Sequence, residues 1–144
     1  MRIYIKEENT MTKGWTARKP NYFLVIFGEK YDAEHPVNGG VYPLYHKGYI
    51  SGSGVAMGDV LLLYQHLGAP GVGVVIDANT GGEPEVIYYQ FFPFDPPVIY
   101  SSLDTLRSAI PSLRVPLYFI GNWLQKIDSG SFGKAIAGAQ IEWP

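Results

Sequence analysis

The feature of this sequence that most restricts its fold is the run Tyr22-Phe23-Leu24-Val25-Ile26-Phe27, six consecutive aromatic and aliphatic residues closed by Gly28. A half-solvated strand alternates apolar with polar side chains, so an unbroken run predicts a strand covered on both faces. This strand should therefore be central, with apolar material on two sides of one sheet. Eleven Tyr, seventeen Gly and eleven Pro in 144 residues favour short strands joined by tight turns over long helices. That length is typical of one domain.

Three further strands are predicted. Gly58-Asp59 marks a turn before Val60-Leu61-Leu62-Leu63-Tyr64, and a Gly/Pro turn at residues 68–71 leads into Val72-Gly73-Val74-Val75-Ile76-Asp77. The short connection makes these two antiparallel neighbours. After the turn Asn79-Thr80-Gly81-Gly82 comes Val86-Ile87-Tyr88-Tyr89-Gln90-Phe91-Phe92, which Pro93 and Pro96-Pro97 should end. Residues 29–48 carry Pro36, Gly39, Gly40 and Pro43, too many breakers for a long helix, and are expected to form a long loop.

Toward the carboxyl end the period changes. Ser102 precedes Leu103, Leu106 and Ile110 at helical spacing, with Asp104 in the first turn and Pro111 as the stop, so Ser102 is the expected N-cap. Asp128 should cap a second helix in which Phe132, Ala135 and Ile136 share a face and Gly138 ends the element. Between them lies the apolar, aromatic segment Leu117-Tyr118-Phe119-Ile120-Gly121-Asn122-Trp123-Leu124. This order predicts an α+β fold, a small curved and mostly antiparallel sheet or barrel flanked by short helices, with closure protecting the sheet edges.

Charge divides the chain. Residues 1–20 carry five basic and two acidic groups, a net +3, whereas the remainder has six basic against eleven acidic, a net −5. Residues 1–20 read as a basic arm that orders on contact, or as an extension packed on the body through Tyr4 and Trp15; residues 21–144 form the domain. An acidic body disfavours extended duplex binding, because each neutralised phosphate must be met by a cation. The absence of cysteine excludes disulfides, thiolate nucleophiles and Cys-rich zinc sites. No signal peptide or membrane span is evident, and the expected location is cytoplasmic.

Taken together, residues 21–143 resemble the EVE family of the PUA-like superfamily, relatives of the YTH and ASCH domains. The likeness rests on the opening strand Tyr22 to Phe27; on Met57-Gly58-Asp59-Val60-Leu61-Leu62-Leu63-Tyr64-Gln65-His66, similar in shifted form to that family's Gly-Asp stretch; on Gly71-Val72-Gly73-Val74-Val75; on Pro97-Val98 and the following helix to Ile110-Pro111; and on Phe119-Ile120-Gly121-Asn122-Trp123-Leu124-Gln125-Lys126-Ile127 with residues 132–136. Where the family usually places a Trp and an Arg-Asn pair, this chain has Tyr45-His46-Lys47-Gly48-Tyr49-Ile50-Ser51-Gly52-Ser53-Gly54, so pocket chemistry drawn from that segment differs.

The resemblance implies a non-catalytic nucleic-acid-binding domain that holds one modified base, single-stranded or flipped, in an aromatic pocket. Such a pocket needs flat π faces for stacking and a few polar groups to read the base edge. Tyr45, Tyr49, Tyr64 and Trp123 are the candidate walls, although core burial accounts equally for Tyr64 and Trp123. Ser51, Ser53, Gln65 and Asn122 are the candidate edge contacts, and Gly52 and Gly54 permit close backbone approach. His66, just past a strand end, is either a pocket residue or a surface histidine.

Neither a catalytic set nor a cofactor is expected. His35, His46 and His66 have no metal-ligand spacing. Ser51-Gly52-Ser53-Gly54 is neither a nucleophile elbow nor a phosphate loop. Glu83 and Glu85 fall on a turn, and Asp59 and Asp77 at strand ends where solvated turn roles suffice. The alternative function is a small-molecule-binding or hydrolytic domain on the same scaffold, its ligand resembling a nucleobase.

Overall fold

A computed structural model of the chain describes residues 19–27, 37–46, 54–65, 68–79, 85–100, 102–114, 122–137 and 139–141. Its elements in order are β1 (Tyr22–Phe27), β2 (Val41–His46), β3 (Val60–Gln65), β4 (Gly68–Asn79), β5 (Glu85–Ile99), α1 (Leu103–Ala109), β6 (Asn122–Ile127), α2 (Ser129–Ala135) and β7 (Gln140–Ile141). Six strands lie in the order β2-β5-β4-β3-β1-β6, with β7 added to β5 off this path. The pairings are antiparallel except for β1 with β3. The fold is α+β. Among the described residues the sheet is open, with β2 and β6 at its edges, so the expected closure does not occur there.

The opening run behaves as its pattern demands. Leu24 and Ile26 enter one apolar cluster with Val60, Leu62, Phe92 and both helices, while Phe23 and Val25 enter a second, across the sheet, with Leu61, Leu63, Ile87 and Tyr89. Successive side chains of a strand point to opposite faces, so each half of the run serves a different core. β1 is one strand in from the β6 edge, flanked by β3 and β6.

The parallel β1–β3 pair is fixed by one carboxylate. Asp59, fully buried, accepts hydrogen bonds from the backbone N–H groups of Asn21 at 3.0 Å and Ala56 at 2.9 Å. Its own carbonyl accepts from Val75 N–H at 2.9 Å, and Gly58, at φ 92°, brings the chain round before β3. The solvated turn role expected for Asp59 is thus replaced by a buried one. A buried carboxylate persists where donors are aimed at it.

Three stretches depart from the sequence reading. Residues 41–46, expected within a loop, form β2; Pro43 is admissible because β2 is an edge strand, paired on one side only. β4 begins at Gly68, with Gln65 opposite Gly68, so the β3–β4 turn is tighter than the expected one at residues 68–71. β5 runs past Pro93 to Ile99. Its prolines sit where it leaves the ladder: Gly71 faces Pro93 and Ala69 faces Val98, so residues 94–97 bulge opposite Pro70 alone, and Phe94 and Asp95 pair with β7 instead.

The glycines of β4 are packing residues. A Cβ on Gly73 would stand 2.6 Å from the fully buried Tyr89 ring, and the approach at Gly71 is to the backbone of β5 itself. Tyr89 and Phe91 therefore lie close over the two glycines, Gly71 and Gly73, on that face of β4.

Both predicted helices form on the expected caps. Ser102 Oγ accepts from Thr105 N–H at 3.3 Å, and Asp128 Oδ1 accepts from Ser131 N–H at 2.6 Å. The Ser131 backbone N–H, followed by its hydroxyl, holds the Asp128 carboxyl below its ordinary range. Leu106 and Ile110 from the first helix and its C-cap, with Phe132, Ala135 and Ile136 from the second, cover the Leu24 face of the sheet. The Tyr22 and Phe132 rings lie 4.7 Å apart, and the Tyr100 phenol donates to the Ala135 carbonyl at 2.9 Å, fastening α2 to the chain after β5. Gly138 lies outside the described residues.

Candidate functional site

The register assembles one end of the sheet. Ile26 faces Tyr64 on one side and Trp123 on the other, and Phe27 faces Asn122, so the last residues of β1 and β3 and the first of β6 lie together. At the same end Gln65 faces Gly68, which faces Ile99. Ile99 is 83% exposed, a large apolar side chain at this edge.

Tyr64 and Trp123 share a row and a face, both against the cluster that contains Ile26, with two strand spacings of roughly 10 Å between their backbones. Their environments differ. Tyr64 is 5% exposed, its ring 5.6 Å from that of Tyr100, so it is a core side chain that underlies this end of the sheet. Burial pushes the Tyr64 phenol up from its ordinary value, and Tyr100 further, through deeper burial and then the charge of Tyr64. Neither phenol is poised to act as an acid or base near neutrality.

Trp123 is partly buried, and its indole N–H donates to Gln125 Oε1 at 3.3 Å. The same oxygen accepts from Arg114 N–H at 3.1 Å, while Gln125 Nε2 donates to the Ser112 carbonyl at 2.6 Å. One amide thus ties the segment after α1 to the edge strand β6 and fixes the indole by its polar atom. Sequence reading singled out Trp123 but missed Gln125 and Arg114. The signal for Gln125 was the two-residue strand period, which puts 123 and 125 on one face. Arg114 is brought in by tertiary structure alone.

The other candidates fall elsewhere. Tyr45 lies in β2 opposite Val86, beside the β4–β5 end where Asn79 also faces Val86. That is the opposite end of the sheet from Trp123, three strand positions removed from β3. The structure therefore does not gather Tyr45 with Tyr64 and Trp123. Gln65 is partly buried at the end of β3, and Asn122 is placed by its backbone at the start of β6. Tyr49, Ser51, Ser53 and His66 lie outside the described residues, as do residues 1–18. Glu85, expected on a turn, opens β5, and Asp77 lies within β4 opposite Tyr88.

No group of His, Asp and Glu able to hold a metal ion occurs among the described residues. No helix among them is long and apolar enough to cross a membrane. Comparison with protein families, with curated proteins and with solved structures finds no match.

Proposed function

We propose that this chain is a non-catalytic nucleic-acid-binding domain, a reader that takes a single unpaired or flipped base against Trp123 at the end of the sheet where β1 and β3 finish and β6 starts, in the manner of the PUA-like EVE domains it resembles. The observation that carries the reading is the state of Trp123. The residue is partly buried against the cluster that contains Ile26, and its indole N–H is oriented by Gln125 Oε1 at 3.3 Å. Stacking on an indole is tolerant of base identity and contributes roughly 1–3 kcal/mol per base. Gln65, at the end of β3, supplies a polar group at the same end for reading a base edge.

The test is a titration of the full chain with single-stranded DNA and RNA oligonucleotides, unmodified or carrying methylated and hydroxymethylated bases, at several salt concentrations. Preference for one modified base that survives rising salt and is lost in Trp123→Ala supports the reader. Equal, purely salt-dependent binding of every oligonucleotide, unaffected by that substitution, contradicts it.

A further inference from the structure

One row of residues crosses six strands: Ile127, Tyr22, Val60, Val74, Gln90 and Val41 face one another in turn. Directly paired residues share a face of the sheet, here the face that the helices cover. Ile127, Tyr22, Val60 and Val74 all belong to the core cluster of that face or pack against it, and the Tyr22 ring meets Phe132 of α2. At Gln90 and Val41 that cover has ended. Val41 is 52% exposed, and on the same face the next row, Asp77, Tyr88 and Pro43, is exposed throughout. Ile76, in the β4 bulge beside Asp77, is 39% exposed. Four neighbouring apolar side chains therefore stand open beside Asp77, which meets no cation among the described residues. Such a surface fits a partner that brings apolar and basic groups together.

The chain holds a segment of that kind and delivers it to this place. Residues 1–18 carry Arg2, Lys6, Lys13 and Arg18 against Glu7 and Glu8, a net +2 in a chain whose remainder is acidic, and Trp15 lies between Lys13 and Arg18. They lead into Asn21, whose backbone is bonded to Asp59 and Val60 where β1 starts, beside the row just described. β5 is three strand spacings from β1, roughly 14 Å. The chain from Trp15 to Asn21 spans up to roughly 20 Å when extended, enough to bring Trp15 to Tyr88. We infer that residues 1–18 dock on this open face, with Trp15 laid over Tyr88, Ile76, Pro43 and Val41 and the flanking Lys13 and Arg18 drawn to Asp77. The segment completes the cover that α1 and α2 begin, and its positive charge is set against the acidic body. This inference is independent of the reading of Trp123.

The chain has no cysteine, so Thr12→Cys carries a single nitroxide label in the full chain. The readout is the loss of amide NMR signal with the label oxidised, relative to the same sample reduced. The amides of Val41, Ile76, Asp77 and Tyr88 should lose most of their intensity, while those of Trp123 and Leu124, at the far end of β6, keep theirs. Trp15→Ala and Asp77→Lys, made in the same labelled chain and shown to be folded by thermal melting, should restore those signals, the first fully and the second in part. A mixture of nitroxide-labelled chain without isotope and isotope-labelled chain without nitroxide should show no loss. Loss in that mixture would seat a second copy on the face and overturn the inference. Loss at other surfaces, loss at this one that Trp15→Ala leaves unchanged, or no loss anywhere would overturn it as well.

Discussion

Asp59 and Asn21 are 38 positions apart in sequence and joined by a 3.0 Å hydrogen bond from the Asn21 backbone N–H to a fully buried carboxylate. The bond sets where β1 enters the sheet, because Val60 N–H in turn donates to the Asn21 carbonyl at 3.0 Å and Tyr22 then faces Val60. The only parallel pair of the described sheet thus starts at a side chain.

Removing that carboxylate leaves two backbone donors without their acceptor. Bonds to charged groups contribute about 1.5–3 kcal/mol each, so Asp59→Ala should cost about 3 kcal/mol or more. Urea denaturation should show a lower midpoint with an unchanged slope; a midpoint equal to wild type would mean the turn holds without the carboxylate.

Gly73 and Tyr89 form one packing unit. Gly73→Ala puts a methyl 2.6 Å from a ring with no room to withdraw, and overpacking of this kind costs about 1–3 kcal/mol. In a Tyr89→Ala background the same substitution should cost much less. A double-mutant cycle measures the difference, and strict additivity would contradict the contact.

Alkaline stability follows from the two buried phenols. Burial raises both above the ordinary 10.0, so the folded state favours their protonated forms. That stabilisation is whole below the unfolded-state value and is lost as pH rises from 10.0 through the folded-state values. Tyr100→Phe should lose about 1 kcal/mol at neutral pH, with the bond to Ala135, yet decline less steeply above pH 10.0. Thermal melts from neutral to alkaline pH compare the two chains, and parallel declines would argue against a buried Tyr100.

Gln125 should report on Trp123 without any ligand. Gln125→Ala removes the Oε1 acceptor of the indole N–H, so the indole proton signal of Trp123, assigned with Trp123→Phe, should move upfield. Gln125→Glu keeps an oxygen for both donors and should preserve that signal better while losing the bond to Ser112. No shift in Gln125→Ala would show that the indole is held by other groups.

Much of this architecture was legible because local signals and tertiary demands agree. The run from Tyr22 to Phe27, the hairpin of β3 with β4, and the caps at Ser102 and Asp128 each form where pattern and side-chain chemistry place them. Proline misled twice, for one physical reason. Pro43 and Pro93 read as breakers, but a ring without an N–H costs nothing at a sheet edge or where a strand leaves its ladder, and sequence does not reveal which strand is an edge. The Gly-Val-Gly-Val pattern of β4 acquires its meaning only from the rings of Tyr89 and Phe91 on the neighbouring strand. Of the candidate site, Trp123 and Gln65 were legible in the sequence; the hydrogen bond from Arg114 N–H to Gln125, between the segment after α1 and β6, is one that no periodicity encodes.

The most direct measurement is an amide and indole NMR map of the full chain titrated with a single-stranded oligonucleotide. The account predicts perturbations centred on the Trp123 indole N–H, the Gln125 side-chain amide and the Arg114 backbone N–H. Perturbations confined to the opposite end of the sheet, around β2 and the β4–β5 connection, would contradict it.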